Sequence, residues 1–103
     1  MFFEFSFSDK HLKDLKKNPE ALYKLLGKLN SFSTCSFGQL LTLGKEQGIA
    51  KVKGTTIHKK LNVDIQLDLY KFRLSKKYRC YGTRNLFFSD AMNLVFVDIN
   101  HID

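Results

Sequence analysis

The chain is short of almost everything that staples, breaks or anchors a polypeptide, with two cysteines, one proline and six glycines among its 103 residues. Cys35 and Cys80 stand too far apart for a CxxC-type zinc site, and one pair makes no disulfide framework, so both are expected as reduced thiols. So little proline and glycine, beside 44% hydrophobic residues with ten Phe and four Tyr, argues against disorder and supplies apolar surface for a core. No apolar run approaches the ~20 residues that span a bilayer. The opening FFEFSFS carries Glu4, follows no basic stretch and precedes no small-residue cleavage site, so it reads as a strand and not as a secretion signal. The expectation is one cytoplasmic domain over residues 1–103, with no membrane association, no metal and no cofactor.

Acidic residues are the remaining shortage. Ten Asp+Glu against 17 Lys+Arg leave a net charge of +7, which favours polyanionic partners, nucleic acid before an acidic protein, and makes association salt-sensitive.

Along the chain, Phe3, Phe5 and Phe7 alternate with polar residues at the period of a half-buried strand, and Ser8 offers a helix N-cap. Leu12 and Leu15 among lysines predict a short amphipathic helix to about Lys17. Asn18 is then positioned to cap a second helix with Pro19 at its first turn, its core face marked by Leu22, Leu25, Leu26 and Leu29. Residues 30–60 read as an elaborated connection, compatible with a short helix near Phe37 to Leu43 and a strand near Ile49 to Val52. The β-forming stretches Leu69–Ser75, Lys77–Thr83 and Leu94–Ile99 predict an antiparallel meander, with turns at Ser75-Lys76 and Asn85–Asn93. Ile65, Leu67 and Leu69 share a parity opposite to that of Tyr70, Phe72 and Leu74, which requires either a bulge near Leu69 or a separate preceding segment. The fold class is α+β, with helices covering one face of a sheet.

Because neighbouring side chains in a strand alternate, Lys71 and Arg73 must leave the face opposite Tyr70, Phe72 and Leu74, and antiparallel pairing can set Arg79 beside them. Clustered cations cost free energy unless an anion neutralises them. With Tyr81 as a stacking platform, this arrangement matches the way single-stranded RNA is held. Arg84, the turn lysines Lys76 and Lys77, and Lys53 in the basic stretch KVKGTTIHKK extend the candidate RNA contacts.

The run from Tyr70 to Tyr81, YKFRLSKKYRCY, followed by LVFVDINH from Leu94 to His101, resembles the signature of the RelE/ParE toxin superfamily. Those proteins read Tyr-Lys-hydrophobic-Lys/Arg-Leu, a short turn, Tyr-Arg-hydrophobic-hydrophobic-Tyr, and a last strand ending in a Gly/Asn-His/Lys-Arg motif. The resemblance implies a β-α-α-β-β-β fold, an antiparallel sheet with an N-terminal helical hairpin packed on one face. It implies a ribosome-dependent endoribonuclease that cuts mRNA by 2′-OH attack without a metal, as the toxin half of a type II toxin-antitoxin pair restrained by a cognate antitoxin. By position, Lys71 and Arg73 match the family's catalytic cationic pair, Arg79 its phosphate-binding arginine, and His101 a His or Lys. Lys71 is then the candidate base and His101 the candidate acid. Ile102 stands where the family's arginine is expected, and Asp98 brings negative charge near the site. Relatives on this fold that inhibit gyrase, or that bind without cutting, give the alternative expectation.

Overall fold

The structure is a computed structural model and describes residues 1–85, 87–88 and 90–100. Strand β1 (Phe2–Phe5) leads through Ser8 into α1 (Asp9–Lys16). Ser8 is the N-cap that its position implies: Oγ accepts the His11 N–H at 3.1 Å, while Asp9 in the first turn and Lys13 and Lys16 in the last complement the helix dipole. Helix α2 (Pro19–Phe32) begins at Pro19, where a missing N–H forfeits no helical hydrogen bond. Asn18 does not cap it, because Nδ2 donates back to the Asp14 carbonyl at 2.9 Å and closes α1 instead. The two helices pack on one another as the expected pair, but the buried stripe of α2 is Ala21, Leu25 and Phe32. Leu22 and Leu26, expected inside, are exposed.

The connection that gave weak sequence signals contains three elements. Helix α3 (Phe37–Gln47) starts at a reciprocal capping box: Ser36 Oγ accepts the Gln39 N–H at 3.2 Å, and Gln39 Oε1 accepts the Ser36 N–H at 2.8 Å. Asp90 Oδ1, 53 residues away, satisfies the next orphan donor, the Phe37 N–H, at 3.0 Å. Gly44 kinks the helix at φ 78°, a conformation that disfavours any side chain, and so redirects the last turn, which carries Lys45 and Glu46. A Cβ at Gly48 would collide with the Leu40 carbonyl oxygen and the Leu43 Cβ, so the chain can leave α3 this tightly only through glycine. Strand β2 (Ala50–Lys51) and helix α4 (Thr56–Leu61) follow, and α4 ends on Asn62 in the left-handed region. The helix near Phe37 and the strand near Ile49 match expectation, whereas α4 was not foreseen.

Strands β3 (Leu69–Arg73), β4 (Arg79–Arg84) and β5 (Ala91–Asp98) form the meander, β5 starting three residues earlier than its β-forming run suggested. The sheet order is β1-β5-β4-β3-β2. The sheet is mixed and not antiparallel throughout, because β1 runs parallel to β5. A tight turn forces antiparallel pairing only on strands adjacent in sequence, and β1 reaches β5 by way of helices. The parity break before Leu69 is resolved by a separate segment: Ile65 and Leu67 precede β3. The bulge lies elsewhere, on β5, where Tyr81 pairs with Phe96 and Gly82 with Leu94, leaving Val95 as the extra residue.

The two faces are unequal. Tyr70, Phe72, Leu74, Cys80, Met92, Leu94 and Val97 join α1, α2 and α3 in the main core. On the other face Leu69 and Tyr81 pack with Val52 and Ile57 of the β2–α4 segment in a smaller one, so helices cover both faces and not one. Both cysteines are free thiols, and burial pushes the Cys80 thiol upward. No helix among the described residues is long and apolar enough to cross a membrane.

One contact closes the sheet edge that β1 leaves open. Beyond Phe5 the β5 edge passes under α1, and there His11 Nε2 accepts the Val97 N–H at 2.8 Å. The imidazole stacks on Phe96, centroids 4.3 Å apart, and meets Phe7 edge-on at 5.3 Å. An acceptor at Nε2 places the ring proton on Nδ1, so this histidine is held neutral.

Candidate nucleic-acid interface

The open part of the second face carries the charge. In register, Lys71 lies opposite Tyr81, Arg73 opposite Arg79, and Arg79 opposite Asp98. Parity puts all of these on the face away from the main core, and the three expected cations meet there, each half-buried. They line a cleft of about 170 Å³ whose fourth cation is Lys45. Lys76 and Lys77 occupy the exposed tip of the β3–β4 turn, held by Ser75 Oγ accepting the Lys77 and Tyr78 N–H groups at 3.1 and 3.2 Å. They extend the same positive end of the sheet.

Like charges directly opposite in a sheet are destabilising, and here the protein supplies its own compensation. Glu46 Oε2 lies 3.3 Å from Arg73 Nη1. Asp98, 1% exposed, stands across from Arg79 and accepts the Asn100 N–H at 3.0 Å. Among the described residues, the four cations of the cleft outnumber these two carboxylates. Such a site attracts a phosphodiester, which must compete with a glutamate for one guanidinium.

Other expected contacts do not join this cluster. Tyr81 is 0% exposed and packed against Leu69, Val52 and Ile57, so no base can stack on it: α4 covers the ring that strand parity alone leaves open. Arg84 is on the opposite face, because the parity of β4 sends it toward α3, where its guanidinium sits 4.3 Å from the centre of the Phe37 ring. Lys53 is exposed but follows the Val52–Leu69 level, about 17 Å along the strand direction from Arg73. His101 and Ile102 lie outside the described residues.

Lys45 and Glu46 were missed by sequence reasoning, since nothing in the weak stretch from 30 to 60 tied them to the strands. The signal was present in part. Ser36 and Gln39 mark the start of a helix, and Gly44 allows the kink beyond which Lys45 and Glu46 form its last turn. No model of a protein family matches this chain, and neither a curated protein nor a solved structure matches it.

Proposed function

We propose that this protein is an endoribonuclease of the RelE/ParE type, acting in the cytoplasm on mRNA at the ribosome and restrained by a cognate antitoxin. The observation that carries the reading is the meeting of Lys71, Arg73 and Arg79, the residues picked out by the resemblance, at one open cleft on a sheet face. Element order supports it as well. With α3, β2 and α4 set aside as an insertion, the chain runs β1-α1-α2-β3-β4-β5, the β-α-α-β-β-β order that the resemblance implies.

In this reading Arg79 and Arg73 bind the non-bridging oxygens of the scissile phosphate, Arg73 exchanging Glu46 for phosphate as RNA arrives. Lys71 takes the 2′-OH proton. The 2′-oxygen attacks phosphorus, the bond to the 5′-oxygen breaks, and a proton returns to that oxygen, giving a 2′,3′-cyclic phosphate and a 5′-hydroxyl. His101, at the position where the resemblance places a His or Lys, is the candidate donor of that last proton.

A second reading, a non-catalytic binding module on the same scaffold, is favoured by the two carboxylates that already compensate the cluster. One experiment separates them: induced expression with growth measurement and mapping of cellular mRNA ends. New ends with 5′-hydroxyl termini, absent in a Lys71→Ala strain at equal soluble expression, are expected for the nuclease. Unchanged mRNA ends under strong soluble expression defeat the nuclease reading.

A further inference from the structure

A second and larger cleft, about 580 Å³, opens where the first turns of α1 approach the C-terminal end of α4. Its floor is Val95 and Phe96 of β5, and Lys10 of α1, Lys60 of α4 and Asp14 stand on its walls. Its volume falls in the range that holds a small molecule or a nucleotide. Lys10 and Lys60 are 50 positions apart in sequence and both exposed, and the fold brings them to one opening.

The register fixes where this cleft lies relative to the cationic one. Phe96 is opposite Tyr81, and two residues along the same face of β5 Asp98 is opposite Arg79. That step is about 7 Å. The floor of the second cleft therefore begins one step of the β5 ladder from the row that holds Arg79 and Asp98, on the side a strand bound at Arg79 can follow to its neighbouring nucleotide. The bulge at Val95 contributes, because an extra residue bends β5 where the floor is formed.

We infer that the cleft between α1 and α4 is a subsite for the nucleotide flanking the cut, with Lys10 and Lys60 binding its phosphate and the Asp14 carboxylate accepting an N–H from its base. This rests on the endoribonuclease reading and adds a source of sequence preference to it. A carboxylate accepts from a base edge and repels phosphate, so it orients the nucleotide with its backbone toward the lysines. The apolar floor of Val95, with the part of Phe96 that His11 does not cover, contacts the apolar face of the base.

The test is mRNA-end mapping in cells expressing the full chain as wild type, Lys10→Ala/Lys60→Ala, Asp14→Asn and Arg73→Ala/Arg79→Ala, at matched soluble levels. Wild type is expected to cut with a nucleotide preference next to the scissile bond. The double lysine variant should cut about tenfold less, the cost of roughly one lost positioning contact, and Asp14→Asn should flatten or change the preference. The double arginine variant should not cut. Wild-type yield and preference in both cleft variants overturn the subsite while leaving the nuclease reading intact. A uniform loss of cutting with the preference unchanged in both also overturns it, since the lysines would then be gripping the ribosome. Absence of cleavage by the wild type itself removes the nuclease reading, and the subsite with it.

Discussion

Replacing His11 tests the junction between α1 and β5. The ring is 5% exposed, its Nε2 accepts the Val97 N–H at 2.8 Å, and it stacks on Phe96. His11→Phe keeps an aromatic ring in place but removes the acceptor. Val97 is then left with a buried, unsatisfied N–H, which costs about 1–3 kcal/mol, or a fall in Tm on the order of 10 °C for a chain of this size. His11→Ala removes the ring as well and should cost about 3–5 kcal/mol. Acidification acts on the same bond. Desolvation lowers the pKa of His11 below its ordinary 6.5, with Asp14 pulling in the opposite direction. A group whose folded pKa is depressed and whose neutral form is the bonded one binds its proton more readily in the unfolded chain. Its contribution is therefore complete above about pH 6.5 and is lost as pH falls from there through the lower folded value. Urea unfolding of wild type and His11→Phe between pH 7.5 and 5 measures both effects. The phenylalanine variant should be less stable at pH 7.5 and should lack the part of the acid-side decline that begins near 6.5. Equal stability at pH 7.5, or an identical acid-side slope in the two proteins, refutes the role given to this imidazole.

Three further outcomes are expected. Lys71→Ala should abolish growth arrest on induced expression while changing the urea midpoint by less than about 1 kcal/mol equivalent, whereas Arg79→Ala should also lose about 1–3 kcal/mol, because it removes the cation opposite the buried Asp98. Glu46→Gln takes away the carboxylate 3.3 Å from Arg73 and should tighten binding to single-stranded RNA several-fold, read by fluorescence polarisation at low salt; weaker binding would show that Glu46 positions Arg73 and does not compete for it. Tyr81→Ala should destabilise the protein by about 3–5 kcal/mol, and Tyr81→Phe should leave RNA affinity unchanged, since the ring is enclosed by Leu69, Val52 and Ile57.

Local pattern carried the first half of the architecture well. Ser8 and Pro19 mark helix starts by chemistry that needs no tertiary context, an oxygen acceptor in one case and a dispensable N–H in the other. The alternation in Tyr70–Leu74 and Arg79–Tyr81 is likewise a property of the strand alone, and it suffices to put Lys71, Arg73 and Arg79 on one face. Alternation cannot say whether that face is open. Tyr81 shares it with Arg79 yet is sealed by the β2–α4 segment, a piece of chain whose few short elements leave no periodicity to read.

Charge, strand parity and the helix starts at Ser8 and Pro19 were thus legible from the residues alone, because each depends on positions within a few places of one another. The remaining features came from tertiary contacts. These ran β1 parallel to β5, brought Glu46 to Arg73 and Asp98 opposite Arg79, and gave the Val97 N–H a histidine acceptor on the side where pairing with β1 has ended. Each joins segments far apart in the chain and is set by which faces could be buried together, and a periodicity confined to one segment holds no record of the segment that will cover it.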